Sequence, residues 1–483
     1  MNWNGIGNLL GRFLIFMAAT MALPVAVAIY FDEWALRSFL ISAFITFFVG
    51  ILIYKTTKKI SILTFKDGCT LVTLGWVSAS VFGALPFHFA GVTPSYIDAI
   101  FETMSGFTTT GASIFKDVEI LPNSLLFWRA LTQWLGGMGI IVLFITLLPN
   151  VGSVAMNLFK AEVPGPSTEK VKPRIQGTGQ ILWLIYFFLT IIQIILLMIF
   201  GMPFLEAVNH TFATLATGGF GFKNDSVAGY NVYIQYTITL FMIISGVNFS
   251  LYYFVLKNGI KNLFKDAELK LYLAIIGLAT GIVTLNILPL RQSLEESFRQ
   301  AIFQVGSVIT TTGFTTVNYD VWPVLAKFLL LLLMFIGGCA GSTAGGMKVG
   351  RFLILFKNTL VGLKQILHPN AVYSIRINGK PIPKQVVSST LQFFFLYILI
   401  FVIATAYMCF LGYDLPEAMG SVAATLNNVG PSFGAVGPVA NYADVPYSGK
   451  ILLTFLMLLG RLELFTVLIM FLPDFWSIRI GRK

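Results

Sequence analysis

Apolar runs long enough to cross a bilayer recur along the chain, at about 11–31, 36–55, 68–91, 123–149, 177–201, 232–256, 270–290, 321–362, 386–411 and 448–473. About 20 residues of apolar helix cover the roughly 30 Å hydrocarbon layer. Between some of these runs lie shorter segments, at 96–108, 204–216, 295–309 and 415–427. A helix of a dozen residues rises only about 18 Å, so it enters a membrane without crossing it. Each short segment leads into a glycine-bearing loop: TTTGAS at Thr108–Ser113, LATGGFG at Leu215–Gly221, TTTGFT at Thr310–Thr315 and NNVGPSFG at Asn427–Gly434. The order span, half-helix, loop, span thus occurs four times behind two leading spans. It predicts an all-α polytopic membrane protein, with two N-terminal transmembrane helices in 1–60 and repeats at 61–155, 170–260, 265–368 and 380–483. Every repeat crosses twice, so all four run the same way. Parallel repeats predict a pseudo-fourfold pore, whereas inverted repeats predict an alternating-access transporter.

Composition agrees with this class. The 483 residues are 56% hydrophobic and 11% charged, with a mean hydropathy of +0.82, more apolar surface than a soluble domain of that size needs. The apolar run from Phe13 to Tyr30 exceeds a signal-peptide core and reads as a retained span. A net charge of +11 raises the possibility of nucleic acid as a partner. The basic residues, however, sit in short loops between spans, and no soluble basic module is present. Lys55, Lys58, Lys59 and Lys66 share one loop, and Lys160, Lys170, Lys172 and Arg174 the next on that side. Lys257, Lys261, Lys265 and Lys270 share a third, Lys357, Lys364, Arg376, Lys380 and Lys384 a fourth, and the tail adds Arg479, Arg482 and Lys483. By the positive-inside rule both termini are cytoplasmic. Asp32, Glu33, Asp98, Asp117, Glu119, Asp225, Asp320, Asp414 and Asp444 collect on the other face, where an acidic vestibule would concentrate cations.

The loops carry the chemistry. Stripping water from a cation costs tens of kcal/mol in an apolar medium, so oxygens must replace the hydration shell. Backbone carbonyls do so without a charge that would trap the ion, and glycine lets them turn inward. Thr109, Thr110 and Gly111, then Ala216, Thr217, Gly218 and Gly219, then Thr311, Thr312 and Gly313, then Asn428, Val429 and Gly430 are the candidate ion-filter residues. One such loop reads equally well as close helix packing by small residues; four, each behind a half-helix, read as a filter. Glu102, Glu206, Glu295, Glu296 and Glu417 lie near the starts of the half-helices, where carboxylates suit the helix dipole. His210, nine residues ahead of the second loop, either lines its mouth or is a satisfied structural histidine. Cys69, Cys339 and Cys409 read as small buried residues.

A second feature lies inside the eighth run. Gly337–Lys348 reads GGCAGSTAGGMK, too glycine-rich for a uniform helix, and 321–362 is too long for one straight span. A broken helix with an intramembrane loop below the filter is expected, with Gly337, Gly338, Gly341, Ser342, Thr343, Ala344, Gly345 and Gly346 as gate residues. Gly337, Gly341 and Gly345 alternatively form a packing face. Arg461, in LLLGRLELF, is an expensive charge within a span and marks function by default. It either limits cation flow as a fixed positive charge or serves structurally, paired with Glu463 or bonded to loop carbonyls.

These four loops, the glycine-rich break in the third repeat and the arginine in the fourth resemble the Trk/Ktr/HKT family of potassium uptake proteins. The resemblance covers nearly the whole chain, and the two leading spans favour its bacterial TrkH branch. It implies a potassium-selective uptake channel of the bacterial inner membrane, a homodimer with one pore per subunit, and a TrkA-like cytosolic ring of nucleotide-binding RCK domains as partner. In that family glycine at all four filter positions goes with potassium selectivity, and serine in the first goes with sodium permeation in some plant relatives. Gly111 keeps the potassium pattern, while Asn427, Asn428 and Val429 depart from TTTG. Neither P-loop nor Rossmann fingerprint is present, so nucleotide is expected to act through the partner. The rival transport reading couples potassium to sodium or protons and needs intramembrane carboxylates or histidines, of which Glu463 is the clear one. An enzyme would need clustered catalytic groups, and none is visible.

Overall fold

The structure, a computed structural model, describes residues 1–57, 63–139, 175–259, 263 and 265–476. Lys58, Lys59, Lys160, Lys170, Lys172, Arg174, Lys261, Arg479, Arg482 and Lys483 lie outside the described residues, as does 140–149 of the run expected at 123–149.

Helices α1 (Trp3–Thr20) and α2 (Ala22–Tyr30) form one 28-residue apolar run, and α3 (Leu36–Thr56) returns beside it. Gly11 and Gly50 meet backbone to backbone, and a Cβ on either would lie within about 3 Å of the partner helix. Small residues allow such close approach where lipid offers no hydrophobic drive. Four sets of elements follow. The first holds α4 (Phe65–Gly83), α5 (Leu85–Phe89), the short α6 (Tyr96–Phe107) and α7 (Asn123–Gly137). The second holds α8 (Ile175–Ile199), the short α9 (Phe204–Leu215), α10 (Val232–Ser245) and α11 (Phe249–Asn258). In the third are α12 (Ala267–Ile287), the short α13 (Leu294–Ile309), α14 (Val324–Ile336) and α15 (Val349–Leu367). A two-stranded hairpin, β1 (Arg376–Ile377) with β2 (Lys380–Pro381), leads to the fourth. That one holds α16 (Lys384–Phe410), the short α17 (Leu415–Leu426), α18 (Tyr447–Arg461) and α19 (Phe465–Leu468), before α20 (Pro473–Trp476).

Among the described residues six helical runs are long and apolar enough to cross a membrane, or eight if two bent pairs each count as one. Local chemistry sets where the short helices begin. Ser95 and Ser293 cap α6 and α13 by accepting the N–H of Asp98 and Glu296, and Pro203 precedes α9. The two serine caps fix the starts of α6 and α13.

The helices after the loops share one register. Their N-caps are Pro122, Asn231, Pro323 and Pro446, and they run only 15, 14, 13 and 15 residues. Counting fifteen residues from each cap gives Gly137, Gly246, Gly338 and Arg461. The chain turns by 88° between α10 and α11 and by 112° between α18 and the segment at Phe465–Phe471. The runs at 232–256 and 448–473, expected as plain spans, are therefore bent. Asn248 caps the new helix by accepting from Ser250, and Glu463 and Leu464 take positive φ values of 55° and 51°. Of these breaks only that at 337–348 is expected from the sequence, where five glycines fall in twelve residues.

Candidate functional site

Each short helix ends in the same way. Thr109, Thr217, Thr311 and Asn428 adopt left-handed φ of 54°, 54°, 56° and 56°. The next N–H reaches back to the last turn: Thr110 to Ser105 O, Gly218 to Ala213 O and Thr312 to Ser307 O, each 2.8 Å, and Val429 to Ala424 O at 2.7 Å. This is the Schellman closure of a helix C-terminus, with Thr or Asn where glycine is usual. A β-branched residue in that conformation is a genuine outlier. Two residues on, Gly111, Gly219, Gly313 and Gly430 have φ of 81°, 75°, 85° and 93°.

The four glycines close a ring. A Cβ on Gly111 would strike the carbonyl oxygen of Gly218, and one on Gly219 that of Thr312. One on Gly313 would strike Val429 O, and one on Gly430 would strike Thr110 O, all under 3.0 Å. Each loop thus abuts the next in chain order, and the fourth returns to the first. Each glycine thus meets the carbonyl of the residue just before the next ring glycine, which is the geometry of approximate fourfold symmetry.

Outside this ring, side chains brace the loops. Glu102 is buried and accepts from Ile114 N at 2.9 Å and Ser113 Oγ at 3.1 Å. It pairs with buried Arg129 at 2.8 Å, so it braces the loop from mid-helix instead of serving the start of α6. Gln133 donates to Gly218 O at 2.6 Å and accepts from Phe220 N at 3.1 Å. His210 does not line a mouth; it is buried, 3.2 Å from the Tyr230 hydroxyl, and packs on Phe314. Tyr442 joins the fourth loop to the first, its N–H on Ser113 O and its hydroxyl on Gly430 O, both 2.8 Å. Asp98, placed in the acidic face by sequence, is instead buried with Lys450 at 2.5 Å. Asp32, Asp117, Glu119, Asp225, Asp414 and Asp444 are exposed. Asp320 bridges the third and fourth loops by accepting from Gly434 N, and burial pushes its carboxyl above the usual carboxylate range.

On the other side of the ring lies the non-helical stretch 337–348. Gly337, Gly341, Gly346 and Lys348 have φ of 73°, 74°, 74° and 73°, and Gly337 packs on Gly345 and Gly346 as the stretch doubles back. That excludes a helical packing face. Its bonds reach three of the loops or their helices. Gly345 N donates to Thr311 Oγ at 2.6 Å, Gly346 N to Asn427 O at 3.1 Å, and Thr343 Oγ to Leu215 O at 2.9 Å. Arg461 joins this stretch to the first repeat, donating to Thr343 O at 2.9 Å, Thr109 Oγ at 3.1 Å, and the carbonyls of Gly136 and Gly137 at 2.5 Å. The Ser342 hydroxyl turns to Cys339 O, and Ala344 O accepts from Lys348. Glu463 pairs with Arg351. Glu268, unremarked in the sequence, accepts from Ala340 N at 2.7 Å and Gly350 N at 2.9 Å, gripping both stems of the stretch.

Comparison with known proteins gives one answer. Residues 36–478 match the family model TrkH, described as cation transport protein. The Trk system potassium uptake protein TrkH of Salmonella typhimurium is 39% identical over 99% of this chain and 100% of its own length. The protein of the same description from Escherichia coli K12 is 38% identical over 99% and 100%, and TrkG of that strain is 36% identical over 96% and 97%. The crystal structure of the potassium transporter TrkH from Vibrio parahaemolyticus superposes with a TM-score of 0.90, at 36% identity, covering 99% of this chain and all of that one.

Proposed function

The chain belongs to the TrkH family of cation transport proteins, and from that premise we propose that it is the pore-forming subunit of a potassium uptake channel. It is a multi-pass inner-membrane protein that transports potassium. The closed ring of four glycines carries the finer reading. Four loops in one register offer carbonyl and hydroxyl oxygens from four directions, as dehydration of a bare cation requires.

In this reading Thr109–Gly111, Ala216–Gly219, Thr311–Gly313 and Asn428–Gly430 form the filter. The stretch 337–348 and Arg461 form the gate on its cytoplasmic side. A guanidinium placed between loop carbonyls and a filter threonine opposes a passing cation and holds the stretch in place. Gly341 in the stretch is exposed, and α15 beyond Ile354 is exposed or half-buried; through these a cytosolic TrkA-like ring of RCK domains would pull. The working unit is a homodimer with one pore per subunit, and nucleotide acts on the partner.

Coupling to sodium or protons is disfavoured by how the membrane carboxylates are used. Asp98, Glu102 and Glu463 are paired with Lys450, Arg129 and Arg351, which leaves them poor relays, and Glu268 is engaged by two backbone N–H groups. Potassium and sodium flux into liposomes, with and without a nucleotide-loaded partner, tests the reading. A channel gives a reversal potential set by the potassium gradient alone. A shift of that potential with an imposed proton or sodium gradient would replace it with the transporter.

A further inference from the structure

Repeat one differs from the other three behind its loop. Seven residues after the N-caps of α7, α10, α14 and α18 stand Arg129, Ile238, Leu330 and Leu453. Eleven residues after them stand Gln133, Met242, Met334 and Met457. Three repeats therefore fill both places with buried apolar side chains, and the first fills them with a cation and an amide. Nine residues before the ring glycines, Glu102 likewise matches His210, Gln304 and Ser421.

These polar replacements act together. Arg129 is 2% exposed and Glu102 1%. Besides its pair with Glu102, the guanidinium donates to Ser113 Oγ at 3.1 Å in the first loop and to Gly221 O at 3.3 Å in the second. The Phe220 ring lies 4.2 Å beneath it. One turn along α7, Gln133 grips Gly218 O, the carbonyl that a Cβ on Gly111 would strike, and Phe220 N. A planar guanidinium offers donors in a fixed fork, so it sets distance and angle between two loops in a way a lysine or an aliphatic chain does not. Burying a charge carries a desolvation cost that its pairing and hydrogen bonds must offset.

We propose that Arg129, Gln133 and Glu102 are specificity-determining positioning residues: a brace that locks the first filter loop to the second and so sets potassium over sodium. The proposal rests on the reading of the four loops as the filter. None of the three touches the ion; they act by fixing where Gly218, Ser113 and Gly221 sit. Ion selectivity in a ring depends on all four sectors, so loosening one junction admits the smaller, more tightly hydrated ion.

The test uses the full-length dimer in liposomes and the potassium-to-sodium permeability ratio. Glu102→Gln with Arg129→Leu installs at this junction the residue types that repeat three carries, Gln304 and Leu330, and leaves no buried charge unpaired. The double variant is expected to elute as the parent does and to conduct, with the ratio lowered at least about tenfold. Arg129→Leu alone, which strands the carboxylate, lowers potassium flux as well. Should the double variant not fold, Gln133→Met decides, since three repeats already carry Met there; its ratio is expected to fall severalfold. A parental ratio in whichever of these variants folds and conducts overturns the brace and leaves it a packing element. Gly430→Ser, measured alongside, separates the two readings: if it too leaves the ratio unchanged, it is the filter assignment that fails.

Discussion

Arg461 reaches from the end of α18 to the hydroxyl of Thr109, 3.1 Å away, in the loop of a different repeat. The same guanidinium nitrogen donates to Thr343 O in the glycine-rich stretch. One cation thus touches the inner end of the ring and the segment that lies across it. Two like unit charges about 6 Å apart repel by about 3 kcal/mol at an effective dielectric near 20, so a cation passing at such a distance would be disfavoured. That is on the order of a hundredfold in occupancy.

On the proposed gate, removing Arg461 is expected to raise basal flux. Arg461→Ala, and separately a shortening of the stretch around Ala340–Ala344, are each expected to increase rubidium uptake severalfold without partner or nucleotide. Their effects do not add, because both open one constriction. Selectivity stays near parental. Folded variants that conduct no faster than the parent place the gate elsewhere.

Glu268 gives a second route to the same end. Its Oε1 accepts the N–H groups of both Ala340 and Gly350, and a typical hydrogen bond contributes about 0.5–1.5 kcal/mol. Glu268→Ala frees both stems and is expected to raise basal flux severalfold, while Glu268→Gln, which keeps an acceptor, raises it less. Equal, parental flux in both variants would show that the stems are held by other contacts.

The ring glycines predict selectivity. At Gly111 and Gly313 any side chain must accept a left-handed φ and push aside a carbonyl of the next loop. Gly111→Ser and Gly313→Ser are expected to lower the potassium-to-sodium ratio by an order of magnitude or more, with some loss of yield. Ratios from bi-ionic reversal potentials decide it, and unchanged values at both positions would take these loops out of the permeation path.

Orientation is read from labelling. A cysteine at exposed Asn224, beside the second loop, is expected to react with an impermeant maleimide from outside intact cells. One at Lys380, in the hairpin, is expected to react only after permeabilisation. The opposite result inverts the topology.

The half-helices were legible to within a residue, because a dozen apolar residues ahead of a glycine loop has few other meanings in a membrane. The ring's glycines were legible for the same reason, four times over. Pairings were not. Arg129 lies 27 positions from Glu102, and in sequence it resembles any arginine near the edge of a span. Asp98 looks like one more acid on the outer face until Lys450, 352 positions away, folds against it. Glu463, two residues from Arg461, invited the nearer partner, but the turn at Glu463 and Leu464 sends its carboxylate to Arg351. Bends at Gly246 and Leu462 escaped notice because a single glycine or a short polar step leaves hydropathy unbroken.

Gly137, Gly246, Gly338 and Arg461 hold one place in four copies of the same helix. A glycine codon becomes an arginine codon by changing one base. The charge at that place thus arises without a new domain or an inserted segment. Arg461→Gly is the variant that returns the fourth repeat to the residue the other three carry.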